Sequence, residues 1–121
     1  MKKLILIVED DLINMKMVSD LLQAQGFDVL ESVDGKDTLQ MAKEHHPDLI
    51  IMDIQLPDIS GIDHTRALKA DETLKKIPIL AVTAFAMKSD EAKIRDAGCD
   101  GYITKPIDIP LLLETIAEFV S

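Results

Sequence analysis

Charged and hydroxyl residues follow four short apolar runs of this chain, each time at the carboxyl end of the run. These polar groups are an acidic cluster, a single acid, a threonine and a lysine: Glu9-Asp10-Asp11, Asp53, Thr83 and Lys105-Pro106. If the runs are parallel strands, all four sets converge on the edge where open α/β sheets bind ligands. Carboxylates one strand spacing apart, about 4.8 Å, repel one another unless a cation lies between them. We therefore expect Mg²⁺, a hard divalent ion with oxygen ligands, beside Glu9, Asp10 and Asp53.

The elements that would position these residues alternate along the chain. Five β-type runs alternate with five stretches in which apolar residues recur at helical spacing, as in repeated βαβ units. The run 49–52 is continuously apolar, which is typical of a central parallel strand covered on both faces. Right-handed crossovers then place helices on both faces of the sheet. We predict one α/β domain over residues 1–121, a doubly wound (βα)5 fold of flavodoxin-like strand order 2-1-3-4-5, in which Asp10 faces Asp53.

Length and composition exclude several classes of protein. A chain of 121 residues is long enough for one domain only. The formal charge of −9 disfavours direct binding of nucleic acid, because phosphate backbones are bound by clustered Lys and Arg. No apolar stretch approaches the roughly 20 residues of a membrane span, and no signal peptide is recognisable. The single Cys99 cannot form an internal disulfide, so the reducing cytoplasm is the expected location.

Each candidate residue also has a purely structural interpretation. Asp11, or Asp10, could cap the first helix. Capping does not explain Asp53, which precedes a proline-containing loop. Thr83 and Lys105 alone would be ordinary strand-end residues. Their occurrence together with the acids, at the ends of strands one, three, four and five, favours a shared site.

The motifs that carry these residues resemble the receiver domains of two-component response regulators. The resemblance covers essentially the whole chain and rests on five motifs: Val8-Glu9-Asp10-Asp11, Met52-Asp53-Ile54-Gln55-Leu56-Pro57, Gly61, Val82-Thr83-Ala84 and Lys105-Pro106. Longer stretches, among them 81–88, are similar in particular to the single-domain cell-division regulators of that family. The fold that the resemblance implies is the CheY-like form of the fold predicted above.

The resemblance implies a chemical role for each acid of the site. Asp53 would be the phosphoacceptor, which takes the phosphoryl group from a phosphohistidine with Mg²⁺ as cofactor. Asp10 would bind the ion directly, and Glu9 would act mainly through a water molecule. The backbone carbonyl of Gln55 would complete the protein ligands. Glutamate is less usual than aspartate at position 9, but it carries the same charge.

The resemblance also implies how the site signals. Thr83 would hydrogen-bond a phosphoryl oxygen, and Lys105, before a Lys105-Pro106 bond that is often cis in this family, would pair with the phosphoryl group. Tyr102 matches the family's aromatic switch position. We predict that its ring moves inward as Thr83 moves, which changes the face formed by helix four, strand five and helix five. The alternative is a tyrosine at a strand edge with no switching role.

The function that these residues imply is that of a phosphorylation-controlled binding module, a single-domain response regulator without an output domain. It would promote only its own phosphorylation and dephosphorylation. Its expected partners are a sensor histidine kinase or histidine phosphotransferase and a downstream regulatory protein or kinase, with no nucleic acid and no membrane. A phosphorylation-dependent dimer is compatible with the sequence.

Two other interpretations stay open, and two more are disfavoured. The chain could be the receiver of a hybrid histidine kinase. A phosphohydrolase with an aspartyl-phosphate intermediate is the alternative from another class, although Gln55 stands where such enzymes usually place a second acid. A flavin-binding protein is disfavoured, because three acids lie where the phosphate of the flavin would bind. No Gly-x-Gly-x-x-Gly follows strand one, which disfavours a dinucleotide site.

Overall fold

The computed structural model describes residues 2–33, 35–54, 60–84 and 88–120. In these residues five strands alternate with five helices: β1 (Leu4–Val8), α1 (Leu12–Ala24), β2 (Asp28–Ser32), α2 (Thr38–His45), β3 (Leu49–Asp53), α3 (Gly61–Ala70), β4 (Ile79–Thr83), α4 (Lys88–Ala97), β5 (Gly101–Thr104) and α5 (Ile109–Val120). All strand pairs are parallel, and the strand order is β2-β1-β3-β4-β5. The predicted fold class and strand order are confirmed.

The apolar side chains of the strands form two separate core layers, one on each face of the sheet. One layer joins alternate residues of β1, β3 and β4, such as Ile5, Ile51 and Leu80, to α1 and α5. The other joins the intervening strand residues to α2, α3 and α4. The central strand β3 is buried along its whole length, because helices cover both of its faces. Burial of one such Leu or Ile contributes roughly 1.5–3 kcal/mol to the stability of the fold. The sheet is therefore a stable support for the residues at its edge.

The register of the strands decides which polar residues stand side by side at that edge. Val8 of β1 pairs with Met52 of β3, so the next residues along the two strands, Glu9 and Asp53, are neighbours. Asp10 follows one residue later, yet one of its carboxylate oxygens also lies within 4.8 Å of one of Asp53. The predicted approach of Asp10 to Asp53 is therefore confirmed, with Glu9 as the direct neighbour across the strands. A shift of one residue changes the face on which a strand side chain lies, and Glu9 is buried whereas Asp10 is exposed.

Side-chain caps fix the helices that begin beside this edge. The carboxylate of Asp11 accepts hydrogen bonds from the N–H groups of Ile13 and Asn14, at 2.9 and 3.1 Å. Asp11 is therefore the cap of α1, which confirms the capping interpretation for this residue. Asp108 accepts a hydrogen bond from the N–H of Leu111 at 3.1 Å and holds the start of α5 in the same way.

A lysine ties together two loops at the opposite end of the sheet. The ammonium of Lys69, on α3, donates hydrogen bonds to the backbone carbonyls of Lys75 and Ile77, at 3.2 and 3.0 Å. It also contacts the carboxylate of Asp100 at 2.9 Å, which in turn accepts from the N–H of Ile79 at 2.8 Å. These contacts fix the starts of β4 and β5, the two strands that carry the predicted hydroxyl and lysine.

Among the described residues, no helix combines the length and the hydropathy that crossing a bilayer would require.

Candidate functional site

Asp53 is the last residue of the central strand β3, and it is 2% exposed. The chain leaves the sheet directly after it, where the N–H of Ile54 still donates to the carbonyl of Val82 at 3.0 Å. The start of α3 then packs back against this point. A Cβ on Gly61 would overlap the carbonyl oxygen of Asp53 and would lie 2.7 Å from the Cα of Ile54. Glycine at position 61 thus lets α3 approach the backbone that holds Asp53.

Three carboxylates converge at this edge. Glu9, Asp10 and Asp53 each offer one carboxylate oxygen, and these oxygens all lie within 4.8 Å of one another. Glu9 is 5% exposed, while Asp10 lies on the solvent side of the cluster. The N–H of Asp11 donates to the second oxygen of Glu9 at 3.4 Å. The site is therefore a buried acid pair with a third acid at its rim.

Lys105 supplies a positive charge next to the two buried acids. Its Nζ lies 3.3 Å from Oδ2 of Asp53 and 3.5 Å from Oε1 of Glu9. The backbone holds it there, because the N–H of Lys105 donates to the carbonyl of Thr83 at 2.7 Å. The bond between Lys105 and Pro106 is cis. Burial lowers the pKa of Lys105, but the negative charges of Asp53 and Glu9 outweigh it and raise that pKa above its ordinary value. Lys105 is therefore charged at neutral pH.

The pKa of Glu9 reflects both its burial and its closeness to Asp53. Burial, together with the hydrogen bond and the negative charge of Asp53, raises the pKa of Glu9 from 4.5 to about 8, although Lys105 and the N–H of Asp11 oppose the shift. A carboxyl with such a pKa holds its proton at pH 7 unless another positive charge replaces it.

The donor set and the charge of the site fit a divalent cation. When all three carboxylates are ionised, they and the one ammonium leave two formal negative charges at the edge. Hard cations such as Mg²⁺ bind carboxylate oxygens of this kind. The predicted further ligand, the carbonyl of Gln55, lies outside the described residues.

The predicted hydroxyl and aromatic residues lie on the next two strands. Asp53 pairs with Val82 of β4. Thr83 is the next residue after Val82, and it is fully buried at the end of that strand. Tyr102 pairs with Ala81, two residues before Thr83 on β4. Its ring is half-buried and packs against the core layer that includes α4. The structure thus places Thr83 at the end of the strand next to that of Asp53, and Tyr102 farther back, toward α4.

Sequence reasoning missed one contact and one packing constraint. The guanidinium carbon of Arg95, on α4, lies 5.6 Å from the centroid of the Tyr102 ring. Nothing in the sequence pairs these residues, because the contact depends on how α4 packs beside β5. The sequence motif contains Gly61 but does not show its close approach to Asp53. The glycine at the start of a predicted helix was the signal for its close approach to Asp53.

Comparison of the sequence with protein families gives a match that covers most of the chain. Residues 5–117 match the response regulator receiver domain family. The chain is 52% identical over 121 residues to the polar-differentiation response regulator DivK of Brucella ovis, covering 100% of this chain and 98% of that protein. DivK of Brucella anthropi is 50% identical over the same coverage.

Solved structures with the same architecture come from bacteria and yeast. The receiver domain of the sensor histidine kinase PA1611 from Pseudomonas aeruginosa, with a magnesium ion coordinated in its active site cleft, has a TM-score of 0.91 at 30% identity, covering 99% of this chain and 98% of that chain. A chain of the Saccharomyces cerevisiae complex between the histidine phosphotransfer protein Ypd1 and the receiver domain of its downstream response regulator Ssk1 has a TM-score of 0.92 at 29% identity, covering 98% and 89%. The chemotaxis protein CheY4 of Vibrio cholerae has a TM-score of 0.93 at 28% identity, covering 98% and 99%.

Proposed function

The chain belongs to the response regulator receiver domain family, and from this premise we propose that Asp53 is the phosphoacceptor of a DivK-like, single-domain regulator. The phosphoryl donor is a phosphohistidine on a sensor histidine kinase or a histidine phosphotransferase. One observation carries the proposal: a carboxylate 2% exposed at the end of the central strand, with an ammonium 3.3 Å away and two further acids beside it. Buried charged groups that are paired in this way at a ligand-binding edge are typical of a functional site.

The reaction that this site would carry out is a phosphoryl transfer. A carboxylate oxygen of Asp53 forms a bond to phosphorus as the P–N bond to the donor histidine breaks. The bonding electrons stay on the imidazole nitrogen, which takes a proton from solvent. The product is an aspartyl phosphate on this chain. Transfers of this kind depend on positioning and on neutralisation of charge rather than on a strong nucleophile.

Glu9, Asp10 and Asp53 are the side chains that would hold Mg²⁺, with the carbonyl of Gln55 as a further ligand on the family resemblance. The bound ion supplies positive charge that offsets the repulsion between a carboxylate and the phosphoryl oxygens. The magnesium-bound Pseudomonas receiver supports this proposal, since it has the same fold at 30% identity.

Lys105 and Thr83 are proposed to bind the transferred group. The ammonium of Lys105 contacts Asp53 directly at 3.3 Å, so it is already close to the place where the phosphoryl oxygens would arrive. The hydroxyl of Thr83, at the end of the adjacent strand, would donate a hydrogen bond to one of those oxygens. These two groups contribute by pre-organised charge and hydrogen bonding at the developing negative charge.

We propose that the signal leaves the site through β4 and β5. Movement of Thr83 toward the phosphoryl group would let the half-buried ring of Tyr102 move inward and change the surface formed by α4, β5 and α5. A downstream regulatory protein or kinase would read that surface, in the cytoplasm. The yeast Ypd1–Ssk1 complex supports the proposed class of phosphodonor partner, since there a receiver domain is bound to a phosphotransfer protein. The chain itself would promote only its own phosphorylation and dephosphorylation.

The test is phosphorylation by a small-molecule donor. Purified protein is incubated with acetyl phosphate and Mg²⁺, and its intact mass is measured with and without EDTA. We expect the wild type to gain the mass of one phosphoryl group only when Mg²⁺ is present. Asp53→Asn should gain none, and Asp20→Asn, which removes an exposed acid on α1, should behave as wild type. Equal modification of Asp53→Asn and wild type would overturn the assignment.

A further inference from the structure

An arginine on the helix next to the proposed switch residue lies over its ring. The guanidinium carbon of Arg95 is 5.6 Å from the centroid of the Tyr102 ring. On the same helix, Oε1 of Glu91 lies 3.1 Å from Nε of Arg95, at i, i+4 spacing. The carboxylate of Glu91 thus orients the guanidinium, and the guanidinium covers the ring.

This contact is attractive and specific to one position of the ring. A cation within about 6 Å of the centroid of an aromatic ring is drawn to the negative potential of the ring face. Tyr102 is half-buried, and it packs against the core layer that includes α4. A ring that moved inward along β5 would leave the guanidinium, because the Arg95 side chain is 55% exposed and is held by its ion pair with Glu91.

We infer that Arg95 is a positioning residue that stabilises the half-buried ring of Tyr102 and so opposes the activated arrangement of the domain. The inference rests on the proposed function, because it assumes that the ring moves when Asp53 is phosphorylated. In the arrangement described here Lys105 contacts Asp53 directly, and the ring lies beneath Arg95. Phosphorylation would have to overcome the Arg95–Tyr102 contact in addition to rearranging Lys105.

The size of the effect follows from the strength of such contacts. A contact made in only one of two states shifts their equilibrium by the full strength of the contact. Cation–π contacts at exposed sites correspond to an equilibrium factor of about two to five. Removal of the guanidinium should therefore increase the apparent affinity for an activating phosphoryl analogue by about two- to five-fold. Loss of a positive charge would by itself weaken binding of an anion, so charge alone predicts the opposite sign.

The chain is well suited to this measurement, because Tyr102 is its only tyrosine and it has no tryptophan. Intrinsic fluorescence therefore reports on this ring alone. Beryllofluoride is titrated at fixed Mg²⁺ into wild type, Arg95→Gln and Arg66→Gln. Arg66 is the only other arginine, and it forms a comparable surface ion pair with Asp63 on α3. We expect a lower midpoint for Arg95→Gln and an unchanged midpoint for Arg66→Gln.

A second measurement separates an effect through the ring from a general effect of the substitution. Calorimetric titration with beryllofluoride compares Tyr102→Leu with the double variant Arg95→Gln/Tyr102→Leu, and we expect equal affinities. An unchanged midpoint for Arg95→Gln, or a gain that persists without the ring, would overturn the role of Arg95 while leaving the phosphoacceptor role of Asp53 intact. Absence of any Mg²⁺-dependent beryllofluoride response in the wild type would instead overturn the proposed function, and this inference with it.

Discussion

Replacement of Glu9 by Gln should abolish the pH dependence of Mg²⁺ binding near neutrality. Glu9 is the buried acid whose proton competes with the ion. Burial first, and then the hydrogen bond and charge of Asp53, raise the pKa of Glu9 to about 8. Glutamine keeps the size and the carbonyl oxygen of the side chain but has no proton to lose. Asp10 and Asp53 remain available to the ion in the variant.

The magnitude follows from the ionised fraction of Glu9. With a pKa of about 8, the carboxylate form is roughly one molecule in ten at pH 7 and roughly one in a hundred at pH 6. An ion that requires the carboxylate should therefore bind about ten-fold more weakly per pH unit in this range, or about 1.4 kcal/mol. Each bound ion should release close to one proton from the protein.

The same pKa shift affects the stability of the metal-free protein. The folded-state pKa of Glu9, about 8, lies above its ordinary value of 4.5. Between these two values the folded protein holds a proton that the unfolded chain has lost. The stability contributed by this group is therefore complete below about pH 4.5 and is lost as pH rises through about 8. Thermal unfolding in EDTA should show this decline in wild type, with less of it in Glu9→Gln.

The assay for the metal is calorimetric titration with Mg²⁺ at pH 6, 7 and 8, in pairs of buffers that differ in ionisation enthalpy. The buffer pairs count the protons that are released. Glu31→Gln is the matched control, since it removes an exposed glutamate from β2. An Mg²⁺ affinity of the wild type that does not change between pH 6 and 8 would refute the reasoning. So would a Glu9→Gln variant that keeps the slope of the wild type.

Three further substitutions test the frame and the charge of the site. Gly61→Ala should lower the free energy of unfolding by about 1–3 kcal/mol, because the new Cβ overlaps the backbone of Asp53. Chemical denaturation measures this free energy, and an unchanged midpoint would contradict the close approach of α3 to Asp53. Lys69→Met should cost about 2 kcal/mol by removing the hydrogen bonds that join two loops to Asp100, whereas an equally stable variant would show that these bonds contribute nothing net. Lys105→Met should weaken beryllofluoride binding on the order of ten- to a hundred-fold, as calorimetry can determine. Retained affinity would remove Lys105 from the phosphoryl site.

The fold and the composition of the site followed from patterns that act locally. Apolar runs, helical spacing and the handedness of crossovers are enough to predict a parallel sheet with helices on both faces, and the chain has that sheet. The polar ends of strands one, three and five were predicted to meet, and Glu9, Asp53 and Lys105 lie together. The cap by Asp11 was predicted from its position before a helical pattern.

The features that sequence did not predict depend on register and on packing between elements. Glu9 and Asp10 are adjacent acids, and a shift of one residue decides which of them is buried beside Asp53. Only the pairing of β1 with β3 settles that choice. The contact between Arg95 and Tyr102 joins a helix to a strand, and no spacing rule links them. The distance between the guanidinium and the ring depends on how α4 packs on the sheet.

The central claim is that Asp53 carries the phosphoryl group, and chemical trapping tests it most directly. After incubation with acetyl phosphate and Mg²⁺, borohydride reduces an aspartyl phosphate to homoserine, and peptide sequencing by mass spectrometry then locates the reduced residue. We predict homoserine at position 53 and unmodified aspartate at Asp10 and Asp11. Homoserine at either of those two positions, or no reduction at position 53 in protein that has gained a phosphoryl group, would contradict the account.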